Sequence, residues 1–401
     1  MSWQGVAVKY AIIIPDGAAD QRAGEPPRTP LELADTPSVD WLASNGRCGT
    51  VALCPPRAPF DMAAAVGAMF GCDPAECALA AGPMEAAGLG LHVDATDWVF
   101  CCSLVTVVDG VLIDPTAEGV STREAAQLID ELNEALGGAK VRLLCGRGWR
   151  HLMISEEEIK VRTVPPHSVV GQAVANAAPR GRGRQQLKII LQTARELLAD
   201  HEINAVRREL GESPVTDIWL WGAGQARALP AFEERFGLTG AIVAGDPLVR
   251  GLAGLIGWQT ADTAAGGAHD DADLGEMGCA AADLLDEFDI VCVHTSAADR
   301  AGMAGDPAGK VAAIEAIDKH IVGPVLRRLR DEGESWRMLV APTHATPCEH
   351  RRRTAEPVPF AIGGLGAEAL IRQPYCEETA ESSDLHIRRG HELMEYFLTV
   401  R

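Results

Sequence analysis

With 401 residues, 47% hydrophobic and 23% charged, the chain is too large for one simple core and long enough to fold unaided, so two domains are expected. A formal charge of −20, from 36 Lys and Arg against 56 Asp and Glu, argues against nucleic acid or an anionic membrane surface as partner, since either needs a clustered positive field. No apolar run approaches the roughly 20 residues that span a bilayer, and Met1-Ser2-Trp3-Gln4 does not begin a secretory signal, so the expected location is cytoplasmic.

In chain order, residues 10–15 form an apolar run ending in Pro15-Asp16-Gly17, and residues 36–45 follow as a helix behind a Thr-Pro start. Residues 98–108, Asp109-Gly110 and residues 111–113 predict a hairpin, because Asp-Gly between β-rich runs is a strong two-residue turn signal. A helix at 122–136, strands near 141–144 and 151–155, a break at Pro165-Pro166, a basic loop at 179–184 and a helix at 187–199 come next. Apolar runs at 218–221, 241–244, 289–294 and 338–341 lack polar alternation, which suits strands covered on both faces of a mostly parallel sheet. Helices at 272–287 and at 308–330, the latter with Pro324 near its middle, alternate with them. The pattern predicts a doubly wound α/β core from residues 1–90 and 216–401, with residues 91–215 inserted as a smaller α+β domain. The eleven cysteines lie mostly in apolar surroundings and read as reduced core thiols; the spacing of Cys72 and Cys77 is not a zinc pair.

Asp16, Asp299-Arg300-Ala301-Gly302-Met303 and Thr343-His344-Ala345-Thr346-Pro347 stand at the ends of separate buried strands, the layout of a two-metal phosphoryl-transfer site. Taken singly, Asp16 also reads as a turn aspartate, Asp299 as a carboxylate favoured at a helix N-terminus and His344 as a hydrogen-bonded loop histidine.

Several stretches together resemble the archaeal-type cofactor-independent phosphoglycerate mutases of the alkaline phosphatase superfamily. They include Ile14-Pro15-Asp16-Gly17-Ala18-Ala19-Asp20, Arg28-Thr29-Pro30-Leu31-Glu32, Thr36-Pro37-Ser38-Val39-Asp40, Gly71-Cys72-Asp73-Pro74 and Gly82-Pro83-Met84-Glu85-Ala86. Trp219-Leu220-Trp221-Gly222, Leu248-Val249-Arg250-Gly251, the segment from Lys310 to Asp318 and Arg353-Thr354-Ala355-Glu356-Pro357-Val358-Pro359-Phe360 continue the match in the same order over nearly the whole chain. The resemblance implies an alkaline phosphatase-like fold. It also implies a family reaction in which a serine takes the phosphoryl group of 3-phosphoglycerate and returns it to the 2-position, assisted by two divalent metals.

Carried over residue by residue, the resemblance retains metal positions at Asp16, Asp299 and His344. The serine position, counted back from Gly71-Cys72-Asp73-Pro74, falls on Met62, whose thioether cannot form a phosphoester. Other ligand positions fall on Met303, Thr343 and Arg353, replacing the carboxylate oxygen or neutral imidazole that hard divalent cations need. Arg353 brings a permanent positive charge instead. Leu79-Ala80-Ala81, Cys102-Ser103, Met277 and Gln225 stand where the family has substrate-binding groups, whereas Arg150, His151 and His167 match its expected substrate-binding pattern.

The expectation is a catalytically dead or severely impaired member of that family with a binding or regulatory role and no required cofactor. The alternative is an active enzyme using manganese or another divalent metal in a rearranged site, through a shifted register over residues 57–66 or a one-metal site of Asp16, Asp299, His344 and His350. In that alternative Asp61 serves as ligand or nucleophile. A phosphorylated small molecule, a protein partner or self-association fits either reading; nucleic acid and membrane do not. A further expectation is that Arg353, pairing with Asp16 or Asp299, or else a water cluster fills the former metal space between Asp16, Asp299 and His344.

Overall fold

Ile12, Ile13 and Ile14 build the strand Lys9–Pro15, which is buried on both faces because neither side of it alternates with polar residues. The strand is the fourth in an eight-stranded sheet, ordered Gln259–Thr260, Gly240–Ala244, Ile290–Thr295, Lys9–Pro15, Trp336–Val340, Val358–Gly364, Arg47–Val51 and His386–Ile387. Its neighbours run parallel on both sides, with Ile14 opposite His294 and Ile13 opposite Val340. Only Val358–Gly364 runs antiparallel to both of its partners. The expected mixed α/β core with a mostly parallel sheet is therefore present. The structure, a computed structural model, describes the chain apart from residues 1–7, 56–58, 137–139, 262–272, 332, 334, 371 and 400–401. Met1-Ser2-Trp3-Gln4, Arg57 and the expected helix start at Ala272 lie outside the described residues.

The chain divides into two compact units, Met1–Ala78 with Ala228–Arg401, and Leu79–Arg227. The sequence division at 90/91 and 215/216 leaves helix Ala81–Gly88 and strand Asp217–Gln225 in the core, but both belong to the second unit. There Asp217–Gln225 pairs antiparallel with Trp98–Val108, Ser103 standing opposite Trp219. The run at 218–221 is thus not a strand of the parallel sheet. It lacks polar alternation because both faces are covered within the second unit: Ile218 and Leu220 enter one apolar cluster, Trp219 and Trp221 another.

Arg150–Ser155 and Val141–Arg147 complete that antiparallel sheet, and Val111–Asp114 closes the expected hairpin onto Trp98–Val108. Helices Thr122–Ala135 and Arg184–Ala199 bury Leu128, Leu132, Ile190 and Leu198 against it. Ser121 and Glu124 form a capping box that starts the first of these helices.

In the first unit, the segment expected as one helix over 308–330 runs as Pro307–Ile317, a π-helical turn at Asp318–Val322 and Gly323–Asp331. Pro324 has no N–H to donate, and the wider turn before it accommodates the proline without ending the helix. The same turn presents Asp318 to the backbone N–H groups of Ser38 and Val39, at 3.1 and 2.8 Å, so it caps helix Pro37–Asn45 in place of Thr36. No helix among the described residues is long and apolar enough to cross a membrane.

Candidate active site

Asp16 follows the carboxyl end of its strand directly and is 1% exposed. The next residue, Gly17, has φ of +73°, and a Cβ there would lie 2.4 Å from the Asp299 Cα. Glycine at this position lets helix Ala297–Ala304, which carries Asp299, approach the strand end. Thr343 and His344 come from the loop after Trp336–Val340, the parallel neighbour of the first strand. The sheet thus brings Asp16, Asp299 and His344 together.

Lys310 holds the loops on either side of this cluster. It is fully buried, and its Nζ donates to the carbonyls of Ala19 at 2.9 Å and Thr346 at 3.0 Å and pairs with Asp20 Oδ2 at 2.6 Å. Ala345 in turn bridges to Gly17, Ala18 and Ala19.

Every carboxylate oxygen in the cluster is engaged by a neighbour. Asp16 Oδ1 accepts from the Thr343 N–H at 2.8 Å and from the Thr343 hydroxyl at 2.6 Å, while Oδ2 lies 2.7 Å from His294 Nε2. Asp299 Oδ1 accepts from the Thr346 hydroxyl at 2.5 Å and lies 3.1 Å from His344 Nε2. Asp299 Oδ2 accepts from Arg353 Nη2 at 2.7 Å and Nε at 3.1 Å. The other nitrogen of His344 lies 2.9 Å from Thr343 Oγ1, and the Phe60 ring covers the imidazole with centroids 4.8 Å apart.

The electrostatics follow from these pairs. Burial alone would raise the Asp299 carboxyl, but Arg353 and His344 outweigh it and hold the group well below the usual carboxylate range. Burial opposes the ionisation of Asp16 too, and His344, His294 and the Thr343 hydroxyl bring it below its ordinary value. His294 moves the other way: Asp16, with Asp246 adding to it, overcomes burial and raises the imidazole. Asp246 is itself buried as the N-cap of helix Pro247–Leu255, its Oδ1 accepting from the Leu248 N–H at 2.8 Å.

Met62 is the first residue of helix Met62–Met69, and its Sδ lies 4.0 Å from Thr343 Oγ1, inside the cluster. Two of the N–H groups at the start of that helix, an obvious seat for an anion, are taken by its own cap: Asp61 Oδ1 accepts from Ala63 at 3.0 Å and Ala64 at 3.3 Å. Met303 sits half-buried one turn beyond Asp299 on the same helix. His350 is elsewhere, with Nε2 3.1 Å from Gln21 Oε1 in an exposed pair.

Divalent metals do not fit this donor set. Two hard cations need carboxylate oxygens and neutral imidazoles turned toward shared points, whereas here the carboxylates and imidazoles face one another or a guanidinium. Among the described residues, no group of three or more His, Cys, Asp or Glu is arranged to hold a metal ion.

In the second unit, Arg150 and His151 are consecutive on a strand and so point to opposite faces of its sheet. Arg150 Nη2 pairs with Glu85 Oε1 at 2.7 Å. His151 is buried, Nδ1 accepting from the Gly146 N–H at 3.0 Å, and burial pushes its pKa down to about 4, so it is neutral at pH 7. His167 stands edge-on to Trp221 with ring centroids 6.0 Å apart. Arg150 and His151 therefore do not face one pocket.

His294, Asp246 and Thr346 contribute to the cluster without having stood out in the sequence as site residues. A signal existed for the first: a histidine ending a buried apolar run, at a position that parallel pairing sets beside the end of the first strand. Nothing in the spacing of Asp246 or Thr346 distinguishes them from ordinary capping or loop residues.

Residues 43–204 match the family model for 2,3-bisphosphoglycerate-independent phosphoglycerate mutase. The chain is 32% identical over 394 residues to the 2,3-bisphosphoglycerate-independent phosphoglycerate mutase of Methanothrix thermoacetophila, covering 98% of this chain and 100% of that one. It is 34% identical over 397 residues to 2,3-bisphosphoglycerate-independent phosphoglycerate mutase 2 of Methanothermobacter thermautotrophicus, covering 98% of each. Among solved structures, the PH0037 protein of Pyrococcus horikoshii superposes with a TM-score of 0.79 at 25% identity, covering 98% of this chain and 97% of that one. The cofactor-independent phosphoglycerate mutase of Thermoplasma acidophilum shares the fold with a TM-score of 0.58 at 24% identity, covering 98% and 99%.

Proposed function

The chain belongs to the 2,3-bisphosphoglycerate-independent phosphoglycerate mutase family, and we propose that within it this copy does not carry out phosphoryl transfer but keeps the fold for a binding or regulatory role. The observation that carries the proposal is the closed network around Asp299. Arg353, Thr346 and His344 occupy both of its oxygens, and Asp16 is occupied likewise by Thr343 and His294. A guanidinium and imidazoles here balance the buried carboxylates that the family resemblance assigns to divalent metals.

Met62 supports the same reading, since a thioether beside Thr343 offers no oxygen to carry a phosphoryl group. Asp61 as a replacement nucleophile would first have to leave the helix it caps. The test is a coupled assay of 3- and 2-phosphoglycerate interconversion with added manganese, alongside metal analysis of the purified protein. Expected are no turnover and no stoichiometric metal. Turnover on the order of 1–1000 per second, or two tightly held metal equivalents, would overturn the proposal.

A further inference from the structure

The basic loop at residues 179–184 takes no part in the cluster around Asp299. Within the second unit, Val161–Arg162 and Arg180–Gly181 form a two-stranded antiparallel ribbon in which Arg162 stands directly opposite Arg180. Directly opposed residues share one face of the ribbon with Cβ atoms about 5 Å apart, where like charges are destabilising. Both arginines are exposed, and among the described residues neither guanidinium has a hydrogen bond or ion pair.

Arg184 adds a third such cation. It is exposed, equally unpaired among the described residues, and opens helix Arg184–Ala199, the end at which the helix dipole disfavours positive charge. Its N-cap Gly183 brings no side chain, and the first turn contains no acid. Glu157 and Glu158, close by in the chain, serve other groups: Glu158 pairs with Lys160 at 2.6 Å and Arg182 at 3.4 Å, and Glu157 with Lys140 at 3.5 Å and Gln186 at 3.2 Å. Gly181 makes the close pairing possible, because a Cβ there would lie 2.4 Å from the Lys160 carbonyl oxygen.

We propose that this ribbon is a seat for a compact, multiply charged condensed phosphate, free or as the tail of a nucleotide. Guanidinium forks match phosphate oxygens in bidentate geometry, and an anion bridging Arg162 and Arg180 turns their repulsion into shared attraction. A compact anion is favoured over an extended polyanion because the patch is short and the rest of the chain brings the net charge to −20.

The test is calorimetric titration at low salt with inorganic tripolyphosphate, adenosine triphosphate, orthophosphate and a single-stranded oligonucleotide, on the wild type and on R162Q/R180Q. Tripolyphosphate should bind saturably and weaken with added salt, adenosine triphosphate should bind comparably, and orthophosphate should bind about tenfold more weakly or worse. The double variant should lose tripolyphosphate affinity by about tenfold or more. Without ligand, its melting temperature should equal or exceed that of the wild type, since a repulsive pair has been removed. Absence of saturable tripolyphosphate binding, unchanged affinity in the variant, tighter binding of the oligonucleotide, or a variant that melts lower without ligand would each overturn the proposal.

Discussion

Arg353 lies across the carboxylate of Asp299, with Nη2 2.7 Å and Nε 3.1 Å from the same oxygen. The aspartate side chain is 3% exposed and the arginine 22%, so this pair is largely removed from solvent. Burial opposes the charge on Arg353, and Asp299, Asp16 and Asp246 together raise its pKa further above the ordinary value.

Arg353→Ala should therefore lower folding stability by about 3 kcal/mol, the order typical of leaving a buried charge without its partner. Urea denaturation of wild type and variant, each with and without a strong chelator, measures it. The wild-type curve should not move with chelator. A chelator-sensitive wild type would mean that a metal, and not the guanidinium, balances Asp299.

Met62→Ser should restore a hydroxyl next to Thr343 without restoring turnover. Thr343 and Arg353 would still bind Asp16 and Asp299 in place of metals. The coupled mutase assay should read no rate above background for this variant. Appreciable turnover from the single change would show that only the nucleophile separates this chain from activity.

Acid should weaken the fold through Asp16 and Asp299. Both have folded-state pKa values below the ordinary aspartate value, so their stabilisation is complete above about pH 4 and is lost as pH falls through the lower folded values. His294 has the opposite sign. Its raised value means that its contribution is complete below about pH 6.5 and declines as pH rises through the folded pKa. Denaturation midpoints from pH 3 to 9 (about six units) on wild type and His294→Gln should show the variant's deficit shrinking toward alkaline pH. A deficit that grows there would contradict the His294–Asp16 pairing.

Lys310→Met should cost about 3 kcal/mol, because Asp20 and the carbonyls of Ala19 and Thr346 lose their shared donor in a region closed to water. Thermal melts of the variant measure this. A loss under about 1 kcal/mol would place the stability of the two loops elsewhere, as in the Ala345 bridges.

Local pattern was enough for much of the architecture. Three consecutive isoleucines before Asp16 specify a buried strand wherever they sit, and Asp109-Gly110 between β-rich runs specifies a hairpin. Colinear motifs then assigned Asp16, Asp299 and His344 to strand ends, and the sheet brings the three together. What the sequence by itself could not determine is how distant segments pair where no motif marks them. The run at 218–221 satisfies the same local rule as a parallel strand, and only its pairing with Trp98–Val108 assigns it to the antiparallel sheet. His294 and Asp246 became part of the charge balance around Asp16 and Arg353 only through tertiary placement. The reason is physical: periodicity reports how a segment is covered, whereas ion pairing and hydrogen bonding depend on separations of a few ångströms that only the folded chain fixes.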